Sequence, residues 1–254
     1  MTPVLTVAVA ETDRLLALPS ADASVLTDAE RRRLAAARTG RARADFLAAH
    51  VLARMCVARR TGGSFRDVVL DQRCPLCAGP HGRPRVTGAR CGVSLSYADG
   101  VVAASAADHP VGIDVERLPG PAAHGAGPGL RGSGSFLTRG EIARIRGSPA
   151  PHRAFLRIWV RKEALVKLSG RGLPAMAGVD LSHLPLAATG RDRPYRLGRR
   201  LLYDLPDVPS DVIGAVAVSA PDASAGRSST TASGMQSLTT DDLIDTLSFQ
   251  GEAS

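Results

Sequence analysis

Leu26-Thr27-Asp28-Ala29-Glu30-Arg31-Arg32-Arg33-Leu34 and Leu137-Thr138-Arg139-Gly140-Glu141-Ile142-Ala143-Arg144-Ile145 read as two versions of one helix start. In each, a threonine stands at the cap and a glutamate follows three residues later, the spacing that closes a capping box. A longer helical pattern comes next in both places, containing Phe46-Leu47-Ala48-Ala49-His50-Val51-Leu52-Ala53-Arg54 and then Phe155-Leu156-Arg157-Ile158-Trp159-Val160-Arg161-Lys162-Glu163. Each half opens on a short apolar strand, Val4 to Val9 and Val111 to Val115. Each closes on small apolar strand residues, Gly100 to Ser105 and Val212 to Val218. The order strand, helix, long helix, strands thus occurs twice, at an offset of about 105–112 residues. The expected fold is α+β: two similar α/β halves related by a pseudo-two-fold axis, with the active site in the cleft between them. A chance likeness of generic helix starts fits the same letters.

The repeat divides the chain into an N-terminal half, 1–110, and a C-terminal half, 111–220. Within the second half, 119–135 is rich in Gly, Pro and Ala and reads as a flexible loop. The remainder, 221–254, reads as a disordered tail up to Gly234. Leu238, Leu243, Ile244 and Leu247 in it match one short amphipathic helix.

At 254 residues with 44% hydrophobic content, the chain can bury a full core. No apolar run approaches the roughly 18 residues of a membrane span. The first ten residues lack the basic head of a signal peptide, so a cytoplasmic location is expected. The net charge of +8 calls for acidic partners: nucleic acid, a polyphosphate ligand or an acidic protein. Aromatics are only 4% and no duplex-reading module is recognisable, which argues against nucleic acid. Cys74-Pro75-Leu76-Cys77, with His81 and Cys91, has the ligand types and first spacing of a zinc site. A second CxxC pair is missing, and thiols in a loop explain the pattern as well.

Arginine supplies thirty of the thirty-two basic residues. The two lysines and the lone tryptophan share one stretch, Trp159-Val160-Arg161-Lys162-Glu163-Ala164-Leu165-Val166-Lys167. A compact ammonium and a planar guanidinium are not interchangeable at a tight phosphate or metal site. Trp159, Glu163 and Lys167 recur at i, i+4 and i+8 and share a helix face, though Glu163 before Lys167 is also an ordinary surface pair. In Gly112-Ile113-Asp114-Val115-Glu116, strand alternation sends Ile113 and Val115 to the core and Asp114 and Glu116 together to the other face. Two carboxylates so placed suit magnesium; solvated acids at a strand end suit the same letters. The first half has Arg54 where the second has Glu163, and Ala8 and Ala10 near the places of Asp114 and Glu116. All three acids therefore lie in one half. Gly82-Arg83-Pro84 reads as a tight turn presenting Arg83, and Ser94 and Ser96 as hydroxyls facing phosphate. There is no GxxxxGK[ST] phosphate loop and no GxGxxG after the first strand, and GxSxG and HExxH are missing.

These segments, in this order, resemble the large, pseudodimeric (Sfp-type) class of 4′-phosphopantetheinyl transferases, whose signature motifs are written GxDxE and WxxKEAxxK. The likeness runs from about Thr27 to Gly172 and more weakly to about Ser219, judged as a motif match. The resemblance implies an enzyme that moves the phosphopantetheine arm of coenzyme A to a serine of an apo acyl or peptidyl carrier protein, releasing 3′,5′-ADP. It implies magnesium held by Asp114, Glu116 and Glu163, with Lys167 stabilising pyrophosphate charge and Lys162 doing so more peripherally. Glu163 is then the candidate base. Arg83 and Pro84 would border the adenine, and Ser96 the phosphates, which makes the N-terminal half the coenzyme side. A monomer is implied, with coenzyme A and the carrier as partners and neither nucleic acid nor membrane. Two positions depart from the family. Tyr97 replaces a histidine that reaches a coenzyme phosphate, and Asp45 replaces an arginine for which Arg43 would substitute. Those departures motivate the alternative, a non-catalytic homologue that binds coenzyme A or a carrier.

Overall fold

A computed structural model describes residues 4–74, 77, 79, 82–120, 136–188, 190, 193–220 and 235–238. The described strands are β1 (Leu5–Glu11), β2 (Leu70–Asp71), β3 (Arg85–Val86), β4 (Gly92–Ala98), β5 (Val101–Ala107), β6 (Val111–Arg117), β7 (Tyr195–Leu197), β8 (Arg200–Asp204), β9 (Val212–Ser219) and β10 (Met235–Leu238). The helices are α1 (Thr12–Leu16), α2 (Asp28–Ala36), α3 (Gly40–Thr61), α4 (Arg139–Arg146) and α5 (Pro151–Ser169). One sheet runs β10-β1-β5-β4-β3-β2 and the other β6-β9-β8-β7. This is a mixed α+β architecture of two sheets, each carrying one long helix.

Strand alternation divides each sheet between two cores. Ala8 and Ala10 of β1 pack against α3, alongside Leu52, Met55 and Val93. Leu5 and Val7 turn the other way and meet Ile113 and Val115 of β6, with Val216 and Tyr203, in a core between the sheets. Ile158, Leu165 and Leu168 of α5 cover the outer face of the second sheet against Ala215 and Ala217. Ile113 and Val115 thus point inward as their spacing predicts.

Both predicted capping boxes form. Thr27 Oγ1 accepts from Glu30 N–H at 3.3 Å, and Glu30 Oε2 accepts from Thr27 N–H at 2.7 Å. Thr138 and Glu141 repeat this at 3.2 and 2.7 Å. The parallel extends to the long helices. Arg54 Nη2 of α3 lies 2.6 Å from Glu30 Oε2, and Lys162 Nζ of α5 lies 2.7 Å from Glu141 Oε2. By contact, therefore, the counterpart of Arg54 is Lys162, not Glu163 as the letter alignment suggested.

Four residues of the tail are described, and they form a strand. Met235–Leu238 is a strand parallel to β1, paired from Leu5↔Met235 to Ala8↔Leu238. Met235 enters the inter-sheet core and Leu238 the core under α3. Leu238 is accordingly a strand residue; Leu243, Ile244 and Leu247 lie outside the described residues, as do 121–135 of the expected loop.

Candidate active site

Glycine at position 112 decides how the site is built. A Cβ there would stand 2.2 Å from Ala164 O and 2.5 Å from Leu168 N. Only a bare α-carbon lets α5 lie this tightly on β6. The close approach brings Lys167 over the strand, where Nζ donates to Asp114 Oδ1 at 2.7 Å and to Ile113 O at 3.1 Å. The first sheet supplies the third wall. Ser96 Oγ of β4 donates to the same Asp114 oxygen at 2.8 Å and accepts from Lys167 at 3.1 Å. Ser94 Oγ accepts from Ile113 N–H at 3.1 Å, tying β4 to β6.

Asp114 is almost fully enclosed, at 4% exposure. Its Oδ2 is buried and has no hydrogen-bond partner, which makes it an acceptor in want of a donor or cation. Burial pushes the Glu116 carboxyl up to about 7; Asp114 and Glu163 add to the rise, while Lys167 and the Trp159 indole N–H oppose it. Burial also raises Glu163, followed by the charge of Asp114, with Lys167 opposing. Trp159 is braced by Phe155 and Phe136, with ring centroids 5.8 and 6.0 Å away. The three acids thus share one electrostatic neighbourhood in which negative charge exceeds what a single ammonium balances.

Among the described residues, no group of three or more His, Cys, Asp or Glu is close enough to form a ready-made metal cage. The donor chemistry nonetheless fits magnesium, which takes one or two carboxylates and completes its shell with waters and phosphate oxygens. For zinc, His81 lies outside the described residues, and Cys91 packs instead beside the core under α3.

Other predicted site residues are placed differently from expectation. Lys162 has 0% exposure and points at Glu141; an ammonium sealed in the core does not fit the peripheral phosphate role expected of it. Arg83 is half-buried and donates to Leu168 O at 3.2 Å and Val111 O at 3.4 Å. Pro84 follows it, partly exposed. Arg43 is exposed and its Nε donates to Ala37 O at 3.1 Å. Tyr97 is 41% exposed, on the opposite pleat face from Ser96. Asp45 is buried, where it accepts from Thr12 Oγ1 and from Gly100 N–H. That carboxylate holds the β4–β5 turn, a local reason for an acid at this position.

Sequence reading missed the core position of Lys162, although Ile158, Lys162 and Leu165 follow the i, i+4, i+7 spacing of a buried stripe. It also missed the contact made by Gly112, for which glycine at the start of a strand beside a helix was the available signal.

One buried and two part-buried acids beside an ammonium and a hydroxyl, at the meeting of two sheets, make a site suited to binding and neutralising phosphate groups. Residues 110–213 match the 4′-phosphopantetheinyl transferase superfamily. The match takes in both Gly112–Glu116 and Trp159–Lys167. No curated protein matches the chain.

Proposed function

We propose that this protein transfers the 4′-phosphopantetheine arm of coenzyme A to a serine of an apo acyl or peptidyl carrier protein, with magnesium, as an Sfp-type enzyme. In this reading the two sheets with their helices are pseudo-two-fold halves of one monomer. The observation that carries the proposal is Asp114: buried, engaged by Lys167 and Ser96 through one oxygen, unpartnered at the other, and inside the superfamily match. Asp114, Glu116 and Glu163 are the residues to hold magnesium, which when bound would neutralise pyrophosphate charge.

The remaining roles fall to the chain itself. Lys167, whose three N–H groups are held by Asp114, Ser96 and Ile113 O, exchanges one of these bonds for a pyrophosphate oxygen and stabilises the charge that grows there. The carrier serine Oγ attacks the phosphorus bearing the pantetheine arm, and the bond from that phosphorus to the 3′,5′-ADP oxygen breaks. Glu163 takes the serine proton; a carboxylate whose proton affinity is raised by burial is a better base than a solvated one. The framework of β4, β6 and α5 positions the reactants.

Mass spectrometry of apo carriers incubated with coenzyme A and magnesium tests the proposal. Wild-type protein should add one phosphopantetheine, and Glu163→Gln should fold yet add none. Saturable coenzyme A binding in calorimetry, with no carrier modified, would favour the non-catalytic homologue instead.

A further inference from the structure

The Gly82-Arg83-Pro84 turn belongs to the first sheet but reaches into the second. Gly82 N–H donates to Gln72 O at 2.9 Å. A Cβ on Gly82 would lie 2.3 Å from Arg73 O, so the turn is pressed against that backbone. From this anchored base the guanidinium extends two donors, Nη1 to Leu168 O at 3.2 Å and Nη2 to Val111 O at 3.4 Å. Leu168 sits in the last turn of α5, where carbonyls lack intrahelical partners and a cation complements the helix dipole. Val111 is the first residue of β6.

Those two elements carry the site. Lys167 is one residue before Leu168, and Asp114 is three residues after Val111. The Gly112 contact sets how closely α5 and β6 approach, but a backbone contact alone does not fix how far the helix slides along the strand. A planar fork bonded to one carbonyl on each element does.

The geometry points to Arg83 as a positioning residue: it clasps α5 to β6 and so holds Lys167 against Asp114 in register with the first sheet. This rests on the transferase reading for its kinetic consequences. It differs from the adenine-bordering role that the resemblance implies for Arg83: two of the five guanidinium N–H groups are engaged by the protein's own backbone, and the split between kcat and KM distinguishes the two roles.

The test compares Arg83→Lys and Arg83→Ala with wild type in steady-state carrier modification, well below the unfolding temperature. Lysine keeps the charge but cannot bridge two carbonyls with a rigid fork. We expect kcat to fall by about 10–100-fold, the scale of a small misplacement of reacting groups. KM for coenzyme A should change by less than about threefold. Guanidinium chloride should restore part of kcat to the alanine variant, and sodium chloride at equal concentration should not.

A KM increase as large as the kcat loss, or no change in either, overturns the inference. If Arg83→Ala does not fold, Arg83→Lys carries the same comparison. Should wild type modify no carrier, the transferase reading fails, and the clasp is judged by amide exchange alone. Faster exchange at 111–115 and 165–169 in Arg83→Lys would then support it, and unchanged exchange would overturn it.

Discussion

The ammonium of Lys162 lies 2.7 Å from Oε2 of Glu141, and neither side chain has any exposed surface. Glu141 is otherwise saturated: Oε2 also accepts from Thr138 N–H, and Oε1 accepts from Leu181 N–H at 2.9 Å. One carboxylate therefore caps α4, anchors the chain at Leu181 and neutralises a cation buried in α5. Glu30 and Arg54 build a related pair under α3, but Glu30 Oε1 accepts no hydrogen bond, and Arg54 also donates to Val68 O and His50 O.

Removing the cation should be severe. Lys162→Met leaves a buried charge without its partner and is expected to destabilise the protein by about 3–5 kcal/mol. Lys162→Arg should cost less, about 1–3 kcal/mol, because the charge is kept and only the larger fork is overpacked. Urea unfolding of both variants would rank them. Equal stability of Lys162→Met and wild type would show that the pair does not hold the core.

Gly112→Ala probes the closeness of α5 and β6. The added methyl must displace Ala164 O and Leu168 N, both backbone atoms with nowhere soft to yield. The expected loss is about 3 kcal/mol or somewhat more, at the upper end of overpacking effects. Lys167 should also retreat from Asp114, so carrier modification should fall further than stability. Thermal unfolding and single-turnover assays on the same sample separate the two effects.

Where local rules govern, the sequence was readable. Thr27 with Glu30 and Thr138 with Glu141 form capping boxes because only nearby atoms are involved. Ile113 and Val115 face the core because a strand has a period of two. Register and distance are not local. That Lys162 meets Glu141, or that Arg83 reaches Leu168, depends on how elements far apart in the chain are stacked. The site was legible as a set of residue types, yet that Lys167 meets Asp114 while Lys162 is sealed in the core was not. Strand β10 was hidden for a related reason. Four residues amid Ser, Thr and Gly carry little intrinsic signal, and the strand exists because β1 offers an open edge and two cores offer slots.

Leu238→Ala tests those slots directly. Leu238 is 4% exposed in the core under α3. Truncating a buried leucine typically costs about 2–5 kcal/mol, and a value near the low end is expected at a sheet edge. A change in urea midpoint too small to measure would mean that β10 does not dock in solution.

Glu116 links acidity to stability, with a sign opposite to that of a salt-bridged acid. Its carboxyl titrates at about 7 in the fold against an ordinary value of 4.5. Between those values the folded protein holds a proton that the unfolded chain has released, so stability falls as pH rises through this window. Above pH 7 the full penalty applies, up to about 3 kcal/mol on the usual conversion and less where solvent screens the group. Below pH 4.5 it vanishes. Glu116→Gln removes the charge and keeps an oxygen for the Trp159 indole. The variant should thus be more stable than wild type at pH 8 by about 1–3 kcal/mol, with the gain shrinking towards zero near pH 4.5. Magnesium added to wild type at pH 8 should raise its stability, and added to Glu116→Gln should do so less. Urea unfolding across pH 4.5–8, with and without magnesium, measures all of this. A variant no more stable than wild type at pH 8 would mean that Glu116 is already compensated, and the case for a cation beside Asp114 would lose its electrostatic basis.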